Sequence, residues 1–358
     1  MLQAATTAPG NPSSLHWAGR AARRIVDDAR DRLAAFVGTE SGSVVYTSGG
    51  TEANNIAIHT VLTSSSPGRI VTSAIEHPAA LKPLEQFVAD HPEWELVKVR
   101  PDASGAVTIE SMAAAINDET RLVCLMYANN ESGALQPIAG VAAICRQKTI
   151  PMLVDAVQML GKKSLSFSEL GIDFMTLSAH KIGGPKGVGA LLVRRGVKLK
   201  ELTPGGGQER GRRSGTENVP AIAGFSAALG KLDFTVCEPI RDLFEKELCQ
   251  RLARVEVVSQ QTERTPNTSL VILPGLDGET LLMQLDLAGF AVASGSACSS
   301  GKREPSHVLL AMGLSELKAR SSLRVSFGPQ SSREDALALV EALVVADQRL
   351  KKMAGLAA

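Results

Sequence analysis

Little in this sequence points outward to nucleic acid or lipid. Aromatic residues make up 4% of its 358 positions, too few for a base-stacking surface. Lysine and arginine number 38 against 37 aspartates and glutamates, which leaves a net charge of +1. That balance builds neither a basic field for a polyanion nor an acidic tail. No apolar run is long enough to span a bilayer. The opening residues, MLQAATTAPGNPSS, lack the basic start and apolar stretch of a secretory signal. The expectation is a soluble, cytoplasmic protein with no direct nucleic-acid partner and no membrane.

Paired cysteines are missing too. Cys124, Cys145, Cys237, Cys249 and Cys298 form no C-x-x-C pair, so neither a zinc site nor a redox dithiol is expected. Cys124 lies in the apolar run RLVCLMYA and Cys145 in the helical-looking VAAICRQK, where both read as inert core thiols. Cys298 differs. It sits in SGSACSSGKREPS, among small polar residues where no core needs it.

What is present is an alternation. GRAARRIVDDARDRLAAFVG has apolar residues at helical spacing and a terminating glycine, Gly38. SVVYTS reads as a buried strand and TEANNIAIHTVL as the next helix. RIVTS, ELVKV, RLVCLMYA, MLVDA, FMTLS and GALLV follow as short β-rich runs, with helical stretches between most of them. Near-continuous apolar strands separated by helices predict an α/β fold with a largely parallel sheet covered on both faces. After about residue 236 the texture changes. RVEVVS, TSLVILP, FAVASG and SLRVSFG read as strands beside helices at GETLLMQLDLA and REDALALVEALVVADQRLKK. The division is an N-terminal segment 1–15, a large domain 16–235, and a smaller α+β domain 236–358 carrying the Cys298 loop.

In such a sheet, ligands bind outside the carboxyl ends of the strands, and the unusual residues fall there. VVYTSGGTEANN runs from strand through a Gly-rich turn to a helix start, so Ser48, Gly49, Gly50 and Thr51 could offer N–H groups and a hydroxyl to a phosphate. An ordinary βα turn has the same pattern, and the Walker motif is absent. His77 follows a strand in SAIEHPAAL, and Asn129 and Asn130 follow another in YANNESG. Asp155 ends the apolar run LVDAVQ, with Gln158 three residues on. A carboxylate there needs a cationic or N–H partner. A protonated pyridine nitrogen would serve, and so would an arginine elsewhere in the chain. In FMTLSAHKIGGPKG, Ser178, His180 and Lys181 cluster where a strand gives way to a turn. Most lysines are solvated charges, but a partly desolvated one can form a Schiff base. Pyridoxal 5'-phosphate needs a lysine for its aldehyde, a carboxylate for its ring nitrogen and a cradle for its phosphate.

The motifs TSGGTEANN, EHPA, NNESG, VDAVQ, SAHKIGGPKG, GGGQERGRRSGTEN, SGSACSSG, EPSHVL and SLRVS together resemble the cysteine desulfurases of the NifS/IscS type, within the class V aminotransferase superfamily. The likeness runs from GNPSSLH to the C-terminal helix. It implies the fold type I architecture of pyridoxal-phosphate transferases, with a seven-stranded-type sheet. It implies a homodimer that converts L-cysteine to L-alanine, passing sulfur through a persulfide on Cys298 to an acceptor protein. The end use would be iron–sulfur cluster biogenesis or nucleic-acid thiolation. By the same resemblance Lys181 would hold pyridoxal 5'-phosphate. Asp155 would pair with the ring nitrogen, and Gln158 with the phenolic oxygen. His77 would stack on the ring and assist proton transfers. Gly50, Thr51, Ser178 and His180 would hold the phosphate, with Thr216 reaching the other subunit's cofactor. Asn130 and Arg324 would bind the substrate carboxylate. The glycines after Lys181, Gly183 and Gly184, would let the backbone bend and present it.

The chain departs from the family at its start. AATTAP runs almost directly into GNPSSLH, where the family has a strand and then a helix-length segment. Thr6, Thr7 and Asn11 would still line the substrate entrance. Lys302 and Arg303 add charge to the Cys298 loop, and Pro329 reads as a turn after the Arg324 strand. Two other readings share the residues: another class V activity such as selenocysteine lyase, or a weakly active sulfur-transfer adaptor. A plain transaminase needs no Cys298, and an adaptor needs none of Lys181, Asp155, His77 and Arg324.

Overall fold

The computed structural model describes residues 1–295 and 304–353. They divide into two compact units. The first comprises Met1–Val99, Thr108–Tyr127 and Gln136–Leu232, and the second comprises Arg100–Val107, Ala128–Leu135 and residues from Asp233 onward.

The first unit holds seven strands: β1 (Val44–Thr47), β2 (Arg69–Ser73), β3 (Glu95–Val99), β4 (Thr120–Met126), β5 (Met152–Asp155), β6 (Phe174–Ser178) and β7 (Gly189–Val193). They form one sheet in the order β1-β7-β6-β5-β4-β2-β3. The neighbours from β6 through β3 pair parallel, and β7 runs antiparallel to both β6 and β1. β1 therefore points the same way as β6. The mostly parallel α/β sheet expected from the apolar runs is present. Every residue of β1, β5, β6 and β7 is buried, as strands covered on both faces must be. Helix Gly50–Leu62 lies on this sheet, and Ala53, Ile56, Ala57, Val61 and Leu62 join Val45, Leu153, Phe174 and Leu191 in one core.

The outer edge of β1 is closed by side chains rather than by another strand. Tyr46 donates its N–H to Glu209 Oε2 at 3.0 Å, and the Val44 carbonyl accepts from Arg30 at 2.7 Å and from Arg212 at 3.2 Å. Arg30 and Glu209 pair through two hydrogen bonds of 2.8 and 2.7 Å, with side chains only 4% and 1% exposed. The Arg30 guanidinium also lies 5.0 Å from the centre of the Tyr46 ring. To reach the edge, Glu209 and its neighbour Arg210 adopt φ of 51° and 60°, a region that costs a non-glycine residue roughly 1 kcal/mol or more.

The second unit contains β8 (Glu256–Val257), β9 (Thr268–Ile272), β10 (Ala293–Ser294) and β11 (Ser322–Ser326). They form an antiparallel sheet in the order β10-β11-β9-β8. Leu270 and Ile272 of β9 pack with Val258, Leu309 and Ala319. RVEVVS, read as a full strand, pairs over only two residues, because Ser259 turns to φ 58° and ends it. Pro329 lies in a turn after β11, as read. At the other end of the chain, residues Leu2–Thr7 form a short helix where the family pattern has a strand. Among the described residues no helix is long and apolar enough to cross a membrane.

Removing one partner of a buried ion pair strands the other charge. Glu209→Ala is expected to lower stability by about 3–5 kcal/mol in urea unfolding. A loss below about 1 kcal/mol would mean that the edge closure is not what holds β1.

Candidate active site

The carboxyl ends of β1, β2, β4, β5 and β6 share one edge of the seven-stranded sheet, since these strands run the same way. The segments leaving that edge carry Gly50 and Thr51 after β1, His77 after β2, Asp155 and Gln158 at the end of β5, and Ser178, His180 and Lys181 at the end of β6. Asp155 stands opposite Thr176 in the β5–β6 register. A carboxylate and a lysine thus leave two adjacent hydrogen-bonded strands.

Asp155 is 6% exposed, and both its oxygens are engaged. Oδ1 accepts the Val157 N–H at 3.0 Å, and Oδ2 accepts Asn54 Nδ2 at 2.9 Å. Asn54 projects from helix Gly50–Leu62, and its own Oδ1 accepts the Thr176 hydroxyl at 2.7 Å. The helix approaches closely because Gly50 has no side chain. A Cβ there would come within 2.7 Å of Val157 Cγ2. Gln158 accepts from the Lys162 ammonium at 2.9 Å.

Lys181 and His180 ride on a short 3-10 turn, Ala179–Ile182, that ends at Gly183 with φ 75°. That left-handed residue is open to glycine at no steric cost. Ser178 Oγ lies 2.8 Å from His180 Nδ1. Burial, then the charges of Lys181 and Lys186, push the His180 pKa below its ordinary value. Near the start of helix Gly50–Leu62, Glu52 accepts the Ser48 N–H at 2.6 Å and pairs with Arg213 at 2.6 Å. The Ser48 N–H is therefore engaged within the turn, ahead of Gly49, Gly50 and Thr51. The helix is 13 residues long, enough for its dipole to favour an anion at that end.

His77 is the N-cap of helix Pro78–Asp90, its Nδ1 accepting the Ala79 N–H at 3.0 Å. The residue before it, Glu76, is fully buried. It accepts from the Ser73 hydroxyl and from the Met126 N–H at 2.9 Å. Burial, above all, pushes its pKa up to about 8, and the nearby Asp155 charge adds to the rise.

Asn11 and Thr216 line one cavity of about 500 Å³ in the first unit, with Ala5, Ala8 and Pro9. Thr216 is exposed. The hydroxyls of Thr6 and Thr7 bond back to carbonyls of their own helix, at Leu2 and Gln3.

Within the second unit, Arg324 of β11 donates from Nη1 to the Asn130 carbonyl at 2.9 Å. Arg324 Nε and Asn130 Oδ1 are both buried with no hydrogen-bond partner among the described residues. Beside them Glu131 accepts from Ser306 at 2.5 Å. Its pKa is raised by burial, against the opposing pull of that hydrogen bond, His307 and Arg324. Cys298 lies outside the described residues. Cys124, Cys145 and Cys237 are buried, and burial raises the Cys124 and Cys145 thiols.

Four residues of the site were not singled out from the sequence: Asn54, Thr176, Glu76 and Lys162. Two had a signal. Asn54 lies four residues after Gly50, one helical turn on, and Thr176 is the polar residue inside the apolar FMTLS.

The chain matches the family model for class-V aminotransferases over residues 2–339, and it belongs to that family. Within the family it is 38% identical over 337 residues to a cysteine desulfurase IscS of Dictyoglomus turgidum, covering 91% of this chain and 84% of the relative. Among solved structures, a NifS-like protein superposes with a TM-score of 0.89 at 30% identity, covering 97% of this chain and 94% of that one. A structure described as SspA in complex with cysteine superposes with a TM-score of 0.82 at 28% identity, over 92% and 94% of the two chains.

The raised Glu76 pKa has a consequence that can be measured. Folded Glu76 keeps its proton up to about pH 8, whereas an unfolded carboxyl loses it near 4.5. Between those values the unfolded state binds fewer protons, so stability falls as pH rises. Glu76→Gln is expected to remove that slope. Urea midpoints of the two proteins should therefore diverge between about pH 5 and about pH 8, with wild type losing ground. Parallel pH curves would show that Glu76 is not the source.

Proposed function

We infer that this protein is a cysteine desulfurase that uses pyridoxal 5'-phosphate, converts L-cysteine to L-alanine and moves the sulfur to Cys298. The observation that carries the reading is the placement of Asp155 and Lys181 at the carboxyl ends of adjacent strands, beside a 13-residue helix whose N-terminus shares that edge. The donor set fits the cofactor. A carboxylate held by two N–H groups suits a protonated ring nitrogen, and Lys181 suits its aldehyde carbon. Ser178, His180, Gly50 and Thr51 suit its phosphate. The relatives' name and the cysteine in the SspA structure support cysteine as the substrate, and a thiol at Cys298 is what a transaminase would not need.

Pyridoxal 5'-phosphate, when bound, supplies an electron sink for the charge left at the substrate α-carbon. The chain's residues do the rest. Arg324, with Asn130 beside it, binds the substrate carboxylate through charge-assisted hydrogen bonds. Asp155 would accept the ring N–H, Gln158 would bond the phenolic oxygen, and His77 would lie against the ring. Lys181 would hold the cofactor, and its Nζ, once freed by substrate, would be the base for the α-proton. The Cys298 thiolate attacks the substrate sulfur. The new S–S bond leaves a persulfide on Cys298 as the substrate's C–S bond breaks, and a proton returned to carbon completes alanine. A free thiol has a pKa of roughly 8.5, so the site either lowers that value or passes the proton to a neighbouring group. Thr216 serves the cofactor of a second subunit in a homodimer. The persulfide passes to an acceptor protein, with cluster biogenesis as the family's usual destination.

The test is alanine released from L-cysteine by cofactor-loaded protein with a thiol reductant present. Multiple turnovers are expected. Cys298→Ala should keep the yellow colour of the loaded protein and make no alanine, and alanine from that variant would remove Cys298 from the reaction. Lys181→Ala should lose the colour and slow alanine formation by at least about a hundredfold. Arg324→Lys should raise KM about tenfold, because a point charge replaces a fork. An unchanged KM would place the substrate carboxylate elsewhere.

A further inference from the structure

The carboxyl torsion of an aspartate is broad and turns easily. At Asp155 it is held from two sides. Val157 supplies one N–H from the loop that follows β5, and Asn54 supplies the other from a different element, helix Gly50–Leu62. The Asn54 amide is itself locked. Its oxygen accepts the Thr176 hydroxyl at 2.7 Å, and Thr176 is the residue opposite Asp155 in the β5–β6 register. A flipped amide would set two oxygens face to face at Asp155. Asn54 and Thr176 are both wholly inaccessible to solvent, so water cannot replace either bond. Thr176, Asn54 and Asp155 thus form a closed chain from strand to helix and back to the next strand.

We propose that Asn54 is a positioning residue of the desulfurase site: through an amide fixed by Thr176, it holds the Asp155 carboxylate in the single orientation in which it meets the cofactor's ring nitrogen. The proposal rests on the reading of Asp155 given above. Two further groups bear on Asp155 from neighbouring elements, Glu76 after β2 and Cys124 in β4. Burial lifts the Glu76 carboxyl to about 8 and raises the Cys124 thiol further above its ordinary value, so neither carries a charge that competes for the ring at pH 7. Lys181 follows the adjacent strand β6.

The test uses the full-length protein and pyridoxal 5'-phosphate itself as the probe. Asn54→Ala and Thr176→Val are prepared as apoproteins, and their thermal midpoints are recorded. Cofactor is then titrated in by visible absorbance, and the colour of the loaded protein is followed against pH. A hydrogen bond to a charged acceptor is worth about tenfold to a hundredfold in affinity; an Asp155 no longer aimed at the ring N–H would forfeit that bond, so Asn54→Ala is expected to weaken cofactor binding by up to that factor. The pH midpoint of the colour should rise by about half a unit or more, because a weaker positive charge on the ring repels the titrating proton less. Thr176→Val keeps the shape of the core and should move both readings the same way by less. It decides the matter if Asn54→Ala does not fold. A purely structural role would lower the thermal midpoints and leave cofactor affinity and pH midpoint where they are, and that result overturns the proposal. If wild type itself takes up no cofactor, the reading of the site fails and this proposal with it.

Discussion

Asp155 ends a strand whose four residues are all buried, and a carboxylate there costs several kcal/mol unless donors meet it. Two donors meet it, Val157 and Asn54, and Thr176 donates in turn to Asn54, so that each of the three constrains an element. Val157 fixes the loop after β5. Asn54 fixes the helix after β1, which can come near only because Gly50 carries no side chain. Thr176 ties that helix to β6, the strand that ends two residues later at Ser178. The two arms of the proposed cofactor site, the Lys181 turn and the helix N-terminus, are thereby set against one anionic reference point. Glu76, more deeply buried still, does not disturb that point because burial keeps it protonated at neutral pH.

A second constraint acts at the far edge of the same sheet. β1 is an edge strand, and an open edge invites pairing with another chain. Arg30, Arg212 and Glu209 take up its outward backbone groups, which also fastens the segment GGGQERGRRSGTEN along β1. That segment holds Arg213, whose pairing with Glu52 bears on the start of helix Gly50–Leu62, and Thr216, which remains exposed. One buried ion pair, with Arg212 beside it, therefore closes an edge and fastens the start of the segment that carries Thr216. The left-handed backbone at Glu209 and Arg210 is the strain that this fastening holds in place.

The fold was legible in the sequence because apolar strands and intervening helices differ in period, and a parallel sheet leaves continuous apolar runs. MLVD and FMTLS are such runs, and the residues at their ends stand where ligand-facing residues were expected. Less legible were groups whose role depends on a partner far away in sequence. Asn54 and Asp155 are separated by 101 positions, Arg30 and Glu209 by 179, and no local pattern marks either pair. Glu76 was passed over for the histidine beside it, since nothing in EHP says which side chain turns inward. RVEVVS misled in the other direction. Its alternation is that of a strand, but Ser259 leaves the extended region and the pairing stops.

His77 shows how a cap bears on proposed chemistry. The Ala79 N–H is donated to Nδ1, so that nitrogen is an acceptor, and the ring proton of the neutral imidazole sits on Nε2. A second proton on the ring would have to displace the Ala79 N–H from Nδ1, and the helix would lose an N-cap worth about 1 kcal/mol. Pro78, at the first helical position, holds the backbone that makes the cap. The cap therefore commits Nδ1 to the helix as an acceptor. In the proposed site, a proton that His77 exchanges would pass through Nε2, the nitrogen that the cap does not use.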